Sequence, residues 1–223
     1  MVAVSEGVAE SLGAAAGLPR DQIEVIHNPV RPMNPDAMTT EDRRALDGWL
    51  AGETRLIAVG TLKRAKGYDV LLRVLADLRG RRDARLLILG EGPLRGELEA
   101  LARDLGVGES LWMPGFCPNP ATFLKHAHVF VLSSNWEGFG NVIVEALAAG
   151  VSVVSTDCLS GSAEILDGGR FGRLVATGDT PGMAKAIEEA AHSPDDLDRL
   201  KARAEDFRPA RQAACYLELV AGS

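Results

Sequence analysis

The chain has 223 residues, 46% of them hydrophobic and 25% charged, enough for one substantial globular domain and part of another, with no sign of disorder. A net charge of −7 and a pI near 5.2 repel a nucleic-acid backbone, and no basic stripe interleaved with aromatics offsets this, so nucleic acid is not an expected partner. Apolar runs stop short of the roughly 18 residues of a membrane helix, Met1 opens no signal-like segment, and Cys117, Cys158 and Cys215 lack zinc-site or redox-pair spacing, so a soluble, unexported chain with reduced thiols in the cytosol is expected.

In chain order, Val2-Ala3-Val4-Ser5 reads as a strand end and a serine cap for a helix beginning at Glu6, stopped by Gly17-Leu18-Pro19. Residues 23–26 form a second short strand, and this small N-terminal unit has no partner in view. Pro29, Pro32 and Pro35 stiffen an extended connection, followed by an amphipathic helix from about Thr40 to Leu50. Residues 55–60 are a buried strand ending in glycine, 61–67 a loop and 68–78 a helix. The pattern repeats with strand 85–90, loop 91–93 and a helix reaching Leu105. A strand at 111–113, a short helix at 120–125 and strands at 129–132, 152–155 and 171–175 follow.

This alternation predicts an α/β fold, a doubly wound parallel Rossmann-like sheet with right-handed crossovers. Ligands then bind at the carboxyl ends of the strands, where Gly60, Gly90, Ser133 and Thr156 lie. From Asp179 onward the chain reads as helical, with Pro181, Pro194 and Pro209 in first turns and a last helix at 210–220 that puts Cys215, Tyr216 and Leu219 on one face.

The richest stretch follows the apolar run Val129-Phe130-Val131-Leu132, which stops at Ser133-Ser134-Asn135 as a buried parallel strand does. Gly138 and Gly140 flank Phe139 and allow a tight turn close to a ligand, and a helix from Asn141 closes at Gly150. A strand, a glycine loop and a helix N-terminus leave unpaired N–H groups beside the positive end of a dipole, which suits a phosphate. Glu137 precedes the helix and Glu145 lies over a turn inside it. A carboxylate can accept from both hydroxyls of a vicinal diol, so the bracketed anion fits a nucleotide sugar; by residue type alone a structural loop fits as well.

Glu137, seven intervening residues and Glu145, with Gly-Phe-Gly directly after the first acid, resembles the signature of the retaining glycosyltransferases of family 4, which have the GT-B fold. The wider run 134–165, including Ser155-Thr156-Asp157-Cys158 and Ser160-Gly161-Ser162-Ala163-Glu164, matches the same pattern. The resemblance implies the C-terminal, nucleotide-sugar-binding half of a two-domain enzyme. Residues 1–27 would be the tail of a missing N-terminal domain, 28–50 a linker and first helix, 51–207 the nucleotide-sugar-binding domain and 208–223 a helix crossing back to brace the other half.

It also implies transfer of a hexosyl unit from a UDP- or GDP-sugar to a glycan or lipid-linked acceptor held mainly by that other domain, with no cofactor and no metal. The isolated domain would bind the donor and hardly turn over. A cytoplasmic location follows, with peripheral membrane contact open to the full-length protein. By resemblance Glu137 meets the donor sugar and Lys66 the diphosphate, as the catalytic pair; Gly60, Thr61, Lys66, Gly138, Phe139, Gly140, Asn141 and Val142 line the donor, and Glu145 holds the ribose.

One position departs from the family, which usually has arginine where this chain has Thr61. A threonine brings no charge, so either Lys63 or Arg64 reaches in or the diphosphate is held more weakly. Glu164 reads as a first-turn acid, and Trp136 as a partly buried packing tryptophan in preference to one flanking the sugar; His126 and His128 do not share a helical face, and no metal site is expected there. Two rivals stay open: a non-catalytic nucleotide-sugar-binding module, which Thr61 favours, and a nucleotide-sugar epimerase of the same fold.

Overall fold

A computed structural model describes residues 1–35 and 46–221. The strands are β1 (Val2–Ala3), β2 (Glu24–Val25), β3 (Thr54–Val59), β4 (Ala84–Leu89), β5 (Leu111–Gly115), β6 (Val129–Leu132), β7 (Ser152–Thr156) and β8 (Arg173–Val175). Six of them form one parallel sheet in the order β5-β4-β3-β6-β7-β8. The expected α/β doubly wound sheet is present.

The strands read as continuous apolar runs because both faces are covered. Leu56, Ala58, Leu86, Ile88, Val129 and Val131 point to one face, packed by the helices Tyr68–Arg79 and Thr180–His192. Ile57, Leu87, Leu89, Phe130, Leu132 and Val153 point to the other, under Trp49, Phe123 and the helix Asn141–Ala148. Period-two alternation thus divides each strand between two cores. Each fully buried Leu, Ile or Phe contributes about 1.5–3 kcal/mol.

Of the helix expected at 40–50, positions 40–45 lie outside the described residues, and 46–50 are helical, burying Trp49 with its indole donating to Leu56 O at 3.1 Å. Pro194 stands ahead of the Asp196 cap instead of in a first turn, whereas Pro181 and Pro209 take their expected places. No helix among the described residues is long and apolar enough to cross a membrane.

Strand order fixes where a ligand can sit. From β3 the chain steps outward to β4 and β5, then returns to place β6 on the other side of β3 and continues to β7 and β8. The reversal lies between β3 and β6, paired as Leu56 with Val129 and Ile57 with Phe130. A crevice opens at the carboxyl ends of those two strands because their crossover connections leave in opposite directions.

The N-terminal unit is a parallel pair, Val2 with Glu24 and Ala3 with Val25, covered by the helix Glu6–Ala16. Ser5 caps that helix by accepting from Val8 N–H at 3.2 Å, and Gly17 ends it in the left-handed region. The sequence shows no partner for this unit; the structure corrects that, seating it against the loop after β6 and the short helix Ser162–Ile165 after β7. The final helix Pro209–Ala221 buries Gln212 and leaves Tyr216, Leu217 and Val220 exposed.

Candidate functional site

The loops on the two sides of the strand reversal are tied together. Ser133 Oγ donates to Lys66 O at 2.8 Å, Asn135 N–H to Ala65 O at 2.7 Å and Asn135 Nδ2 to Arg64 O at 2.8 Å. Gly67 is required at this seam: its φ is +59°, and a Cβ there would lie 2.2 Å from Ser133 O. The result places Lys66 Nζ 2.5 Å from Glu137 Oε1, with the two side chains only 14% and 12% exposed.

Ser134 Oγ donates to the same oxygen at 2.5 Å, and Glu137 Oε2 has no partner among the described residues. The two residues expected to act catalytically are therefore one largely buried ion pair with a free acceptor oxygen. Tyr68 OH donates to Gly60 O at 3.2 Å beside this pair; burial first, and then the charge on Glu137, raise its pKa far above the phenol range.

Thr61 is exposed at the mouth of β3. Neither of its basic neighbours, Lys63 or Arg64, pairs with Glu137. Arg64 Nη2 lies 3.9 Å from Glu97 with its side chain 82% exposed, and Lys63 and Arg64 together border a different hollow with Leu94 and Glu97.

The glycine loop follows. Gly140, at φ +95°, opens the helix Asn141–Ala148, and Gly138 has open space around it. Among the described residues, no acceptor takes the amides of Gly138, Phe139, Gly140, Asn141 or Val142. These five unpaired donors run from the loop through the Gly140 cap into the first turn of the helix, where backbone N–H groups and the dipole favour an anion. The loop's shape is held from outside. Gly161, at φ +82°, comes so close that a Cβ would lie 2.0 Å from Phe139 O. The buried Phe139 ring stacks on His27 at 5.1 Å and 26° and meets Phe207 edge-on at 5.6 Å.

Glu145 stands apart from this. Its side chain has no hydrogen bond or ion pair among the described residues, and burial pushes its pKa up to about 7. It lines a cavity of about 210 Å³ with Val30, Pro32, Met33, Lys125 and Ala148.

Glu164 is the first-turn acid expected, and the structure adds contacts that the sequence does not show. Glu164 Oε1 accepts the Glu6 N–H at 2.9 Å and Oε2 faces His27 Nε2 at 3.2 Å. Burial works to raise that carboxyl, yet the bonds from His27 and the Glu6 amide hold it below its usual range. Asn28 Nδ2 donates to Asn141 Oδ1 at 3.0 Å, and Ser5 Oγ to Gly138 O at 2.7 Å. Only the capping role of Ser5 is visible in the sequence; its second bond spans 133 positions. Trp136 is a correction: at 57% exposed it is not a packing residue, because it sits on the outer side of a loop whose inward side chain is Glu137. His128 is engaged by Arg55, whose N–H it accepts at Nδ1 at 3.2 Å.

Residues 41–207 match the model of a family described as Glycosyl transferases group 1. The N-acetylgalactosamine-N,N'-diacetylbacillosaminyl-diphospho-undecaprenol 4-alpha-N-acetylgalactosaminyltransferase of Campylobacter jejuni is 32% identical over 184 residues, covering 82% of this chain and 48% of the relative. The lipopolysaccharide core biosynthesis glycosyltransferase LpsE of Rhizobium meliloti is 37% identical over 134 residues, 60% of this chain and 38% of its own. The chain thus spans about half the length, or less, of these relatives. Among solved structures, Anabaena HepE in complex with UDP and glucose aligns with a TM-score of 0.83 at 19% identity, over 100% of this chain and 63% of that one, a likeness of fold.

Proposed function

The chain belongs to the glycosyl transferases group 1, and from that premise we propose that it is the donor-binding half of a retaining enzyme of the family 4 type. It takes a hexosyl unit from a UDP- or GDP-sugar and passes it to a glycan or lipid-linked acceptor. The single observation behind this is the Lys66–Glu137 pair beside five unpaired amides at the strand reversal. The names of the Campylobacter and Rhizobium relatives support the acceptor class, and HepE's UDP supports the donor class.

Each group has a task that its geometry suits. The open oxygen of Glu137 accepts hydroxyls of the donor sugar, while the amides from Gly138 to Val142 receive the diphosphate. Lys66 neutralises the charge that develops as the bond from the anomeric carbon to the phosphate oxygen breaks. The acceptor hydroxyl forms its bond to that carbon on the face the diphosphate leaves, and its proton departs with the leaving group. Glu145 accepts both ribose hydroxyls. Thr61 contributes one uncharged hydrogen bond, so Lys66 bears most of the diphosphate contact.

In this reading residues 1–27 belong to the acceptor-side lobe, 28–50 connect it, 51–207 hold the donor and 208–223 cross back. The protein works in the cytoplasm, where lipid-linked acceptors bring the complete enzyme to the membrane surface. Transfer by the complete enzyme from a panel of UDP- and GDP-hexoses to diphospho-undecaprenol-linked and lipopolysaccharide-core acceptors, with the product's anomeric coupling read by NMR, tests it. An α-linked product from an α-linked donor is expected. A β-linked product would contradict retention, and epimerised donor without transfer would favour the rival activity.

A further inference from the structure

Ser5 is fully buried between the N-terminal unit and the donor loop, and its hydroxyl makes two bonds. Its lone pair accepts Val8 N–H, so its single proton is left for Gly138 O, 2.7 Å away. The preceding carbonyl, Glu137 O, is taken in the same way by Ser160 Oγ, from a residue held at φ +125°, a conformation that a non-glycine residue adopts at a cost. Two serines from distant segments thus hold two consecutive carbonyls of the loop. Gly7 lets those segments meet, since a Cβ on it would lie 2.6 Å from Ser160 Cβ.

A trans peptide unit points its C=O and its N–H in opposite directions. Fixing Gly138 O on Ser5 therefore turns the Phe139 N–H away from the N-terminal unit, and fixing Glu137 O on Ser160 turns the Gly138 N–H away from the loop after β7. Neither amide has an acceptor among the described residues.

We propose that Ser5 is a positioning residue for the donor diphosphate: by anchoring Gly138 O it holds the Phe139 N–H on the phosphate, so the N-terminal unit sets the geometry of the loop across the crevice. This rests on the donor-site reading above. It adds that diphosphate affinity depends on a residue outside the family's matched segment, which begins at residue 41.

The test compares UDP with UMP by titration calorimetry on the unaltered chain, Ser5→Ala and Val8→Pro, with GDP and GMP as the alternative pair. Val8→Pro removes the N–H that bonds Ser5 Oγ in the helix cap, at the third helical position and so at a cost to the helix, but leaves the Ser5 hydroxyl that donates to Gly138 O. Ser5→Ala should weaken UDP about five- to tenfold and UMP less than about twofold. Val8→Pro should lower the melting temperature without changing the ratio of UDP to UMP affinity. An unchanged ratio in Ser5→Ala, or an equal loss in Val8→Pro, would overturn the proposal, the second because it assigns the effect to the unit's stability. Failure of the unaltered chain to bind either diphosphate is a distinct result: it removes the donor site itself, and the role of Ser5 with it.

Discussion

Glu137 and Glu145 lie eight positions apart on one loop and helix, and the structure treats them as opposites. The loop carboxylate is locked between Lys66 and Ser134 with one oxygen left open. The helix carboxyl has no partner among the described residues, and burial lifts its pKa to about 7. One end of the proposed site is paired in advance; the other carries a carboxyl with no hydrogen-bond donor among the described residues. Preorganised pairing suits charge that develops during a reaction, whereas an isolated carboxyl suits recognition, since a ligand hydroxyl is what it lacks.

Lys66→Ala attacks the prepared end and should have the largest effect. Removing the ammonium leaves Glu137 nearly buried without its countercharge, which costs about 3 kcal/mol of stability by urea denaturation. It also removes charged hydrogen bonds of about 1.5–3 kcal/mol each, so UDP or GDP affinity should fall about a hundredfold. Adding Glu137→Gln should restore most of the stability but none of the affinity. If the single variant bound the diphosphate as the unaltered chain does, Lys66 would not be its counter-charge.

Glu145→Gln attacks the other end and should weaken the nucleotide about tenfold. Its effect on stability should run the opposite way. A buried carboxyl whose pKa is raised stabilises the folded chain fully below its unfolded value of about 4.3 and loses that contribution as pH rises through about 7. The glutamine chain should therefore melt higher than the unaltered one at pH 8 and equally at pH 4. A lower melting temperature at pH 8 would mean that Glu145 has an ionic partner after all.

His27→Ala is the smallest of the three. It removes ring contacts to Phe139 and Phe207 that support the loop from behind, worth about 1 kcal/mol in thermal unfolding. Nucleotide affinity should stay within about twofold, because Ser5 and Ser160 still hold the loop carbonyls. A tenfold loss would place the support of the loop in the rings instead of the hydroxyls.

The sheet was readable because its central strands are short apolar runs bounded by small polar residues or glycine; Val129–Leu132 has the same limits in sequence and structure. The strand expected to stop at Met113 runs on through Pro114 to Gly115, which is tolerated because β5 is an edge strand. Spacing also marks Glu137, Glu145 and the glycines between them. It cannot show that Lys66 and Glu137, 71 positions apart, face each other, since that depends on the reversal of strand order between β3 and β6. Residue type misleads at Trp136, whose size suggests burial although its loop turns it outward. The support from Ser5, His27 and Asn28 was hidden for the same reason as the ion pair: those contacts exist only once the N-terminal unit has docked.

The contrast between the two carboxyls is tested most directly by nucleotide affinity as a function of pH. Calorimetric titration of UDP or GDP into the chain and into Glu145→Gln, from pH 5.5 to 8.5, separates this carboxyl from the phosphate's own titration. Ribose hydroxyls bond best to the ionised form, so the affinity ratio of the unaltered chain to the variant should climb through about pH 7 and then level off. A ratio that stays flat across that range would show that Glu145 does not meet the nucleotide.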